Sequence, residues 1–298
     1  MIRLLLASQE ELHGRFTPAW QRRLKQSAHS IPFRGWMASD TPWPFVRASY
    51  RQDTGSDPDS QRTWLRLDPS NAMPDINGIR MLAYGEMLNI SDAEHQALVQ
   101  TLRPMLEAQD IALDWPVTSR AYLGLPLAVP QATALRTSPT WDVLGEDLLD
   151  YFPGPSGDAL AKRLRGLMNE LQVELHDHPV NQGRRQRGLP AVNVLWPWTD
   201  ESTHDKVALL ESWNLVSPDS EWRAVWAMGG AHVQHRISVA DLDLQGDTVI
   251  DLRDQRRCSS LEREWLDPLW AQTRGRMQLQ LGDSVFRLSP LDRLKFWR

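Results

Sequence analysis

A leucine stripe between residues 160 and 175 constrains the fold of this chain more than any other feature of its sequence. Leu160, Leu164, Leu167, Leu171 and Leu175 are separated by four, three, four and four residues, which places them on one face of an α-helix. Such a face has to be buried against other apolar structure. The apolar run VNVLW follows shortly after this helix and predicts a short buried strand. The sequence therefore predicts a helix packed on a sheet.

Strand and helix signals alternate along the rest of the chain. Apolar runs predict strands at Ile2–Ala7, TWLRLDP, IRMLAYG, IALDW, AYLGL, WRAVWAM and TVIDLR, and the pair RMQLQL and SVFRL predicts a hairpin. The Ser-x-x-Glu patterns at Ser91 and Ser259 predict capping boxes that open helices. Because WRAVWAM and TVIDLR are almost wholly apolar, they are typical of strands in a parallel sheet. This order predicts an α/β fold that contains a ββαββ unit.

Other segments carry weaker signals. The mixture of apolar and charged residues in Glu10–Gln26 predicts a helix, and the many Pro, Gly and Asp residues of 30–61 predict a loop or linker. Ser138-Pro139 and Ser289-Pro290 each put a serine at a helix cap and a proline in the first turn, so they predict two further helices.

The composition limits the class of protein. The chain is 41% hydrophobic and 24% charged, as in globular proteins, and its net charge of −5 argues against a dedicated nucleic-acid partner. Cys258 is the single cysteine, which excludes an internal disulfide. The apolar run after Met1 is too short for a signal peptide, and no run reaches the roughly 18 apolar residues of a membrane helix. The sequence predicts a cytoplasmic protein with no membrane association.

The segment LHDHPVNQGRRQRGLPAVNVLWPW, which begins at Leu175, concentrates histidine, asparagine and arginine between the leucine helix and the next strand. His176 and His178 are only two residues apart, whereas a chelating pair on a helix needs a spacing of four, so the pattern argues against a metal site. Guanidinium and amide groups on a turn are suited to a phosphate or carboxylate. The predicted ligand-binding residues are His178, Asn181, Arg184, Arg187 and Asn193.

A purely structural interpretation of the same segment stays open. Asparagine side chains satisfy open backbone groups in turns, and arginines bind the free carbonyls at helix ends. Elsewhere, Asp251 and Asp254 follow a predicted strand without a histidine nearby, so salt bridges to Arg253 or its arginine neighbours are the favoured interpretation. No nucleophile motif is present in the sequence, and no catalytic or metal-binding residue is predicted.

The motif HPVN-x-x-R…N resembles a segment of the archaeal-type cofactor-independent phosphoglycerate mutases, which belong to the alkaline phosphatase superfamily. The matching positions are His178, Pro179, Val180, Asn181, Arg184, Gly188, Leu189 and Asn193. The order WLRLDP, AYLGLP, HPVN and FRLSPLDRLKFWR also resembles the RpfE-type bacterial regulatory proteins (regulation of pathogenicity factors). These resemblances imply a reduced alkaline-phosphatase-like α/β core, formed by residues 1–61 and 199–298, with an α+β insertion at residues 62–198.

The departures from the enzymes decide the functional prediction. Members of the superfamily need two divalent metals and a serine or threonine nucleophile. Here the first strand runs into Ala7-Ser8-Gln9 without an aspartate, and TVIDLRDQRR contains no histidine. The sequence therefore predicts a non-catalytic regulatory protein without a cofactor, which binds a small phosphorylated or carboxylated ligand or a protein partner. The alternatives are an active phosphoglycerate mutase or other phosphoester enzyme and, with less support, a nucleic-acid-contacting regulator.

Overall fold

The computed structural model describes residues 2–8, 10–30, 44–76, 78–126, 137–153, 159–199, 211–236, 238–242, 244, 246–281 and 284–290. The described strands are β1 Ile2–Leu6, β2 Ala28–Ser30, β3 Arg62–Asp75, β4 Gly78–Tyr84, β5 Ala112–Val117, β6 Arg120–Pro126, β7 Val194–Trp198, β8 Trp213–Ser217, β9 His232–His235, β10 Asp247–Leu252, β11 Met277–Leu281 and β12 Ser284–Leu288. The helices are α1 Pro18–Gln26, α2 Phe45–Thr54, α3 Asp92–Glu107, α4 Thr140–Val143, α5 Ala159–His176, α6 Pro179–Gln186, α7 Ser220–Met228, α8 Cys258–Leu261 and α9 Asp267–Gln272.

The chain divides into two compact units. Unit 1 contains Met1–Trp43 and Lys206–Arg298, and unit 2 contains Pro44–Asp205. The inserted segment predicted from the sequence starts at residue 62. Unit 2, as the contacts divide the chain, begins at Pro44 and includes α2, which packs on β3 and β5.

Unit 1 is built on a seven-stranded sheet in the order β2-β12-β11-β1-β10-β8-β9. The strands from β11 to β9 are parallel to their neighbours, and β12 and β2 continue the sheet in antiparallel fashion. Leu4 of β1 lies between Ile250 of β10 and Leu279 of β11, and all three are buried in one apolar core. The α/β class predicted from the sequence is thus confirmed, as is the hairpin of β11 and β12.

Unit 2 is an antiparallel sheet in the order β4-β3-β6-β5, with β7 also paired to β3. The leucine stripe of α5 is buried as predicted, and it packs with Leu98, Leu102 and Leu106 of α3 in one core cluster. The capping box at Ser91 is present in both directions. The ββαββ unit is therefore confirmed as β3, β4, α3, β5 and β6.

One strand prediction is wrong. WRAVWAM forms helix α7, and the neighbouring strand is β8, which lies just before it. Asp219 caps this helix because its carboxylate accepts hydrogen bonds from the amides of Glu221 and Trp222. A short apolar run fits a buried strand and a buried helix equally well, so only the upstream cap could have decided between them.

Helix boundaries supply the other corrections. Helix α1 begins at Pro18 rather than at residue 10, after a turn in which Gly14 has a φ of 92°. Helix α2 lies inside the predicted loop and ends at Gly55 in the left-handed conformation. The second capping box does not form: α8 begins after Arg257 without a side-chain cap, and Glu262 accepts a hydrogen bond from the Thr17 amide instead.

Two further predictions concern the chain ends and membranes. The final helix predicted after Ser289-Pro290 lies outside the described residues. Over the described part of the chain, no helix has the length and apolar character needed to cross a membrane.

Candidate functional site

The HPVN segment is a second helix rather than a loop. Pro179 occupies the first turn of α6, and the His178 ring nitrogen Nδ1 accepts a hydrogen bond from the Val180 amide at 3.2 Å. The other ring nitrogen, Nε2, lies 3.0 Å from the Thr101 hydroxyl of α3. That hydroxyl donates to the Ala97 carbonyl, so His178 donates from Nε2 and is neutral. Burial lowers the pKa of His178, and Glu174 opposes this effect only in part.

Asn181 joins the end of one helix to the start of the next strand. Its side-chain amide donates to the carbonyls of Leu175 and Val192, at 2.7 and 2.8 Å. Its carbonyl oxygen accepts from the Val192 amide at 2.8 Å. The side chain is fully buried. Two of these bonds satisfy the backbone amide and carbonyl of Val192, and the third adds to the bond that the Leu175 carbonyl accepts from the His178 amide.

Arg184 is the centre of the segment and is completely buried, at 0% exposure. Its Nε donates to the Pro190 carbonyl at 2.8 Å, one terminal nitrogen donates to Glu94, and the other donates to the Leu88 carbonyl. Arg187 shares Glu94 through the second carboxylate oxygen, although its side chain is 55% exposed. The whole guanidinium of Arg184 is therefore engaged within unit 2.

Glu94 is the acidic partner of both Arg184 and Arg187. It is the closing residue of the α3 capping box, where its carboxylate also accepts from the Ser91 amide at 2.9 Å. Burial alone would raise the pKa of Glu94, but the Ser91 amide and the guanidiniums of Arg187 and Arg184 outweigh it and lower the pKa. The carboxylate is thus held in its charged form.

Asn193 forms two side-chain hydrogen bonds to the backbone of the neighbouring strand β3. Its side-chain oxygen accepts from the Ala72 amide at 2.9 Å, and its side-chain amide donates to the Ala72 carbonyl at 2.7 Å. On the β3 side, Asn71 donates to the Ala191 carbonyl at 2.8 Å. Both amides bridge the start of β7 to the irregular register of β3 at Asn71/Ala72. Asn193 therefore bonds to a different set of groups from Arg184 and Arg187.

An open cavity of about 510 Å³ lies beside His178 in unit 2. Its lining includes the carboxylates of Glu174 and Asp177, and no lysine or arginine among the described residues. This charge disfavours an anion at that position. Arg187 remains the most exposed cation of the five predicted ligand-binding residues, and a role for these residues in binding stays a prediction.

Sequence reasoning missed the partners of the motif. Glu94, Thr101 and Asn71 lie far from it along the chain, yet they complete its hydrogen bonds. A signal was present for Glu94 alone, because the capping box at Ser91 places a carboxylate at a fixed helix end.

A second polar cluster lies in unit 1, where the parallel strands β8 and β10 end. Asp251 is only 5% exposed. One carboxylate oxygen accepts from the amide and Nε of Arg253, at 3.1 and 2.9 Å. The other accepts from a terminal nitrogen of Arg253 at 2.9 Å and from the Ser217 hydroxyl at 3.0 Å. In open α/β sheets, ligands gather at this carboxyl edge of the strands.

Further ion pairs surround Asp251. Asp254 is held by the buried Arg236, whose guanidinium also lies 5.3 Å from the ring of Trp265. Burial alone would raise the pKa of Asp251 and of Asp254, but the arginines lower both. Burial raises the pKa of Asp219, despite its hydrogen bonds from the start of α7. The predicted pairing of Asp251 with Arg253 is present, whereas Asp254 pairs with Arg236.

Comparison with known proteins connects the chain to phosphoglycerate mutases. No protein-family model matches. A probable 2,3-bisphosphoglycerate-independent phosphoglycerate mutase of Geobacter sulfurreducens is 26% identical over 110 residues, which are 37% of this chain and 26% of that protein. The matched part therefore spans about a quarter of the relative. It supports a relation to phosphoglycerate mutase over part of the sequence.

Two solved structures align with most of the chain. A cofactor-independent phosphoglycerate mutase from Thermoplasma acidophilum is 13% identical, with a TM-score of 0.45, over 100% of this chain and 95% of the other. A protein of Pyrococcus horikoshii is 12% identical, with a TM-score of 0.49, over 99% and 92%.

The described residues at the carboxyl edge of the unit 1 sheet do not fit a pair of divalent metals. No group of three or more His, Cys, Asp or Glu side chains could hold a metal within the described ranges. Both oxygens of Asp251 face a guanidinium and a hydroxyl, and those of Asp254 face Arg236. A cation bound there would have to displace two buried or half-buried arginines from their carboxylates.

Proposed function

We propose that this chain is a non-catalytic regulatory relative of the phosphoglycerate mutases. The observation that carries the proposal is the pairing of Arg253 with both oxygens of Asp251 at the carboxyl edge of the parallel sheet. A phosphoester enzyme of the metal-dependent type needs free carboxylates there to hold cations against the transferring phosphoryl group. Arg253 supplies a fixed positive charge instead of a metal ion. Unlike a metal ion, a guanidinium cannot bind a water or hydroxyl group and activate it as a nucleophile.

The energetics favour keeping the arginine. A guanidinium stays charged at every physiological pH and forms two parallel bonds to a carboxylate. Asp251 is buried, so removing Arg253 would leave its charge without a counter-ion and destabilise the fold. Asp251 therefore acts as the partner of Arg253 and Ser217 rather than as a spare ligand.

The finer parts of the proposal have separate support. The RpfE-type regulatory role is supported by the order of WLRLDP, AYLGLP and HPVN along the chain. A small phosphorylated or carboxylated ligand would meet Arg187, whose side chain is half exposed at the end of α6. The alternative is an active cofactor-independent phosphoglycerate mutase.

The test is a turnover assay with 3-phosphoglycerate, run once with Mn²⁺ and once with EDTA. We expect no conversion to 2-phosphoglycerate above the buffer rate in either case, while a known mutase works in the same Mn²⁺ buffer. Calorimetric titration with 3-phosphoglycerate then tests binding. If the unchanged protein binds, Arg187→Ala should abolish the heat of binding. Arg163→Ala, which removes another exposed arginine, should retain it.

One result would replace this proposal by the enzymatic alternative. It is Mn²⁺-dependent turnover that is lost in Asp251→Asn and kept in Asp110→Asn. Asp110 is a fitting control because it pairs with Arg62 on the surface, with 70% of its side chain exposed.

A further inference from the structure

An apolar cavity of about 580 Å³ opens in unit 1, and its lining includes no residue of the Asp251 cluster. Helix α1 and the turn before it form one wall, with Leu12, Phe16 and Leu24. Cys258 at the start of α8 and the hairpin residues Leu281 and Phe286 form the other side. This volume lies within the usual range of small-molecule sites, which are concave, mainly apolar and furnished with a few polar groups.

The charges at this cavity have one sign. Arg15 and Lys25 line it, and no acidic residue does so among the described residues. Both cations are exposed, and neither has an ion-pair partner within the described part of the chain. About half of the other described arginines pair with carboxylates, as Arg23 of helix α1 does with Asp267. In a chain of net charge −5, two spare cations beside an apolar cavity form a local anion-binding rim.

Two neighbouring carboxylates, those of Glu11 and Glu262, already have partners. Glu11 pairs with Arg256, and its carboxylate accepts a hydrogen bond from the Ser8 amide. Glu262 is buried and accepts from the Thr17 amide at 2.6 Å. Neither is therefore the counter-ion of Arg15 or Lys25.

The apolar surface continues inward. A gap too narrow for a water molecule lies behind the cavity and shares Phe16, Leu24 and Leu281 with it. Leu6, Trp20, Leu266 and Leu279 of the unit 1 core line its inner side. A hydrocarbon chain gains apolar contacts along these walls, whereas a compact polar ligand gains nothing from them.

We infer that this cavity binds an amphipathic carboxylate, a medium- or long-chain aliphatic acid whose head pairs with Arg15 and Lys25 and whose tail lies along Phe16, Leu24 and Leu281. The apolar walls of the cavity suit the tail of such an acid, and its cationic rim suits the head. Such a site would be independent of the proposed relation to phosphoglycerate mutases. 3-Phosphoglycerate carries the charge without the tail, so it should not occupy this cavity.

The experiment is calorimetric titration of the full chain with octanoate, decanoate and dodecanoate, each below its micelle concentration, and with decanol. Burying one methylene contributes about 0.8 kcal/mol, so the Kd should fall roughly fourfold for each added methylene. Decanoate should bind at least about tenfold more tightly than decanol, because only the acid makes charge-assisted hydrogen bonds to the rim.

Substitutions at the two exposed cations, Arg15 and Lys25, test the cationic rim without disturbing the buried core. Arg15→Gln and Lys25→Gln should each weaken decanoate about three- to tenfold and leave decanol unchanged. Lys162→Gln removes an exposed lysine of α5 in unit 2, and it should bind decanoate like the unchanged protein.

The single cysteine reports where the ligand lies. Cys258 is 2% exposed and lines the cavity, so decanoate should slow its reaction with methyl methanethiosulfonate and 3-phosphoglycerate should not. Equal affinity for decanol and decanoate would overturn the inference. So would an unchanged thiol reaction rate at saturating decanoate, or the absence of binding by all three acids.

Discussion

Arg184 and Glu94 form a buried ion pair between elements that lie ninety residues apart along the chain, with 2.8 Å between a terminal guanidinium nitrogen and Oε2. The pair ties the capping box of α3 to the middle of α6. Arg184 also donates to the carbonyls of Leu88 and Pro190. One side chain thus satisfies groups from three separate segments of unit 2.

Replacing Arg184 by alanine should destabilise the protein strongly. The change leaves Glu94 without its most buried partner and opens two backbone carbonyls, so we expect a loss of about 3–5 kcal/mol in the free energy of unfolding. For a unit of this size, that corresponds to a fall of roughly 10 °C in Tm. Thermal unfolding followed by circular dichroism measures the loss.

The matched control is Arg185→Ala. Arg185 is exposed on the same helix and reaches only the His176 carbonyl, at 3.3 Å. It should shift Tm by no more than about 2 °C. If Arg184→Ala is too unstable to purify, Arg184→Lys keeps the charge and should lose an intermediate amount. A stable Arg184→Ala protein with the original Tm would show that the pair contributes little.

Asn181 should be almost as important for stability, although it carries no charge. Asn181→Ala leaves both backbone groups of Val192 without their partner and removes the shorter of the two bonds to the Leu175 carbonyl, so we expect a loss of about 2–4 kcal/mol in the free energy of unfolding, measured by chemical denaturation. Gln182→Ala removes one bond from an exposed side chain to the Asp177 carbonyl and should stay within about 0.5 kcal/mol. Equal losses of unfolding free energy in the two variants would contradict a structural role for the Asn181 hydrogen bonds.

Much of the fold could be predicted from local patterns. The leucine stripe of α5, the capping box at Ser91 and the β11–β12 hairpin are each determined by residues that are close in sequence. WRAVWAM could not be assigned in this way, because its short apolar run has no period that separates helix from strand. Helix α6 was missed although His178-Pro179 carries a helix-start signal, a capping side chain before a proline in the first turn.

The candidate site shows a different limit. The sequence singled out His178, Asn181, Arg184, Arg187 and Asn193 as a group that could hold an anion. Their partners include Thr101, Glu94 and Ala72, which only the folded chain brings close. Whether an arginine side chain is available to a ligand or already hydrogen-bonded depends on such long-range partners. No local sequence pattern indicates them. The structural interpretation of the segment gained its support from these contacts.

His178 should make stability depend on pH. Burial lowers the pKa of the folded imidazole below its ordinary value of about 6.5, so the unfolded chain binds the proton more readily. The free energy of unfolding should therefore decrease as the pH falls below about 6.5, and it should level off below the folded pKa. His178→Asn removes the titration but keeps a side-chain oxygen that can accept from the Val180 amide. The difference in stability between the original protein and this variant should shrink between pH 7.5 and pH 5.

His176→Asn is the control for this pH dependence, because the His176 side chain is 78% exposed near the end of α5. It should follow the original protein at every pH. The pKa of His95 is also lowered, because burial outweighs the opposing effect of the Trp115 carbonyl. Both variants should therefore retain part of the decrease in unfolding free energy at low pH. A stability difference for His178→Asn that stays constant from pH 7.5 to pH 5 would mean that the buried ring keeps its ordinary pKa. A difference that grows at low pH would mean that the Glu174 carboxylate dominates over burial.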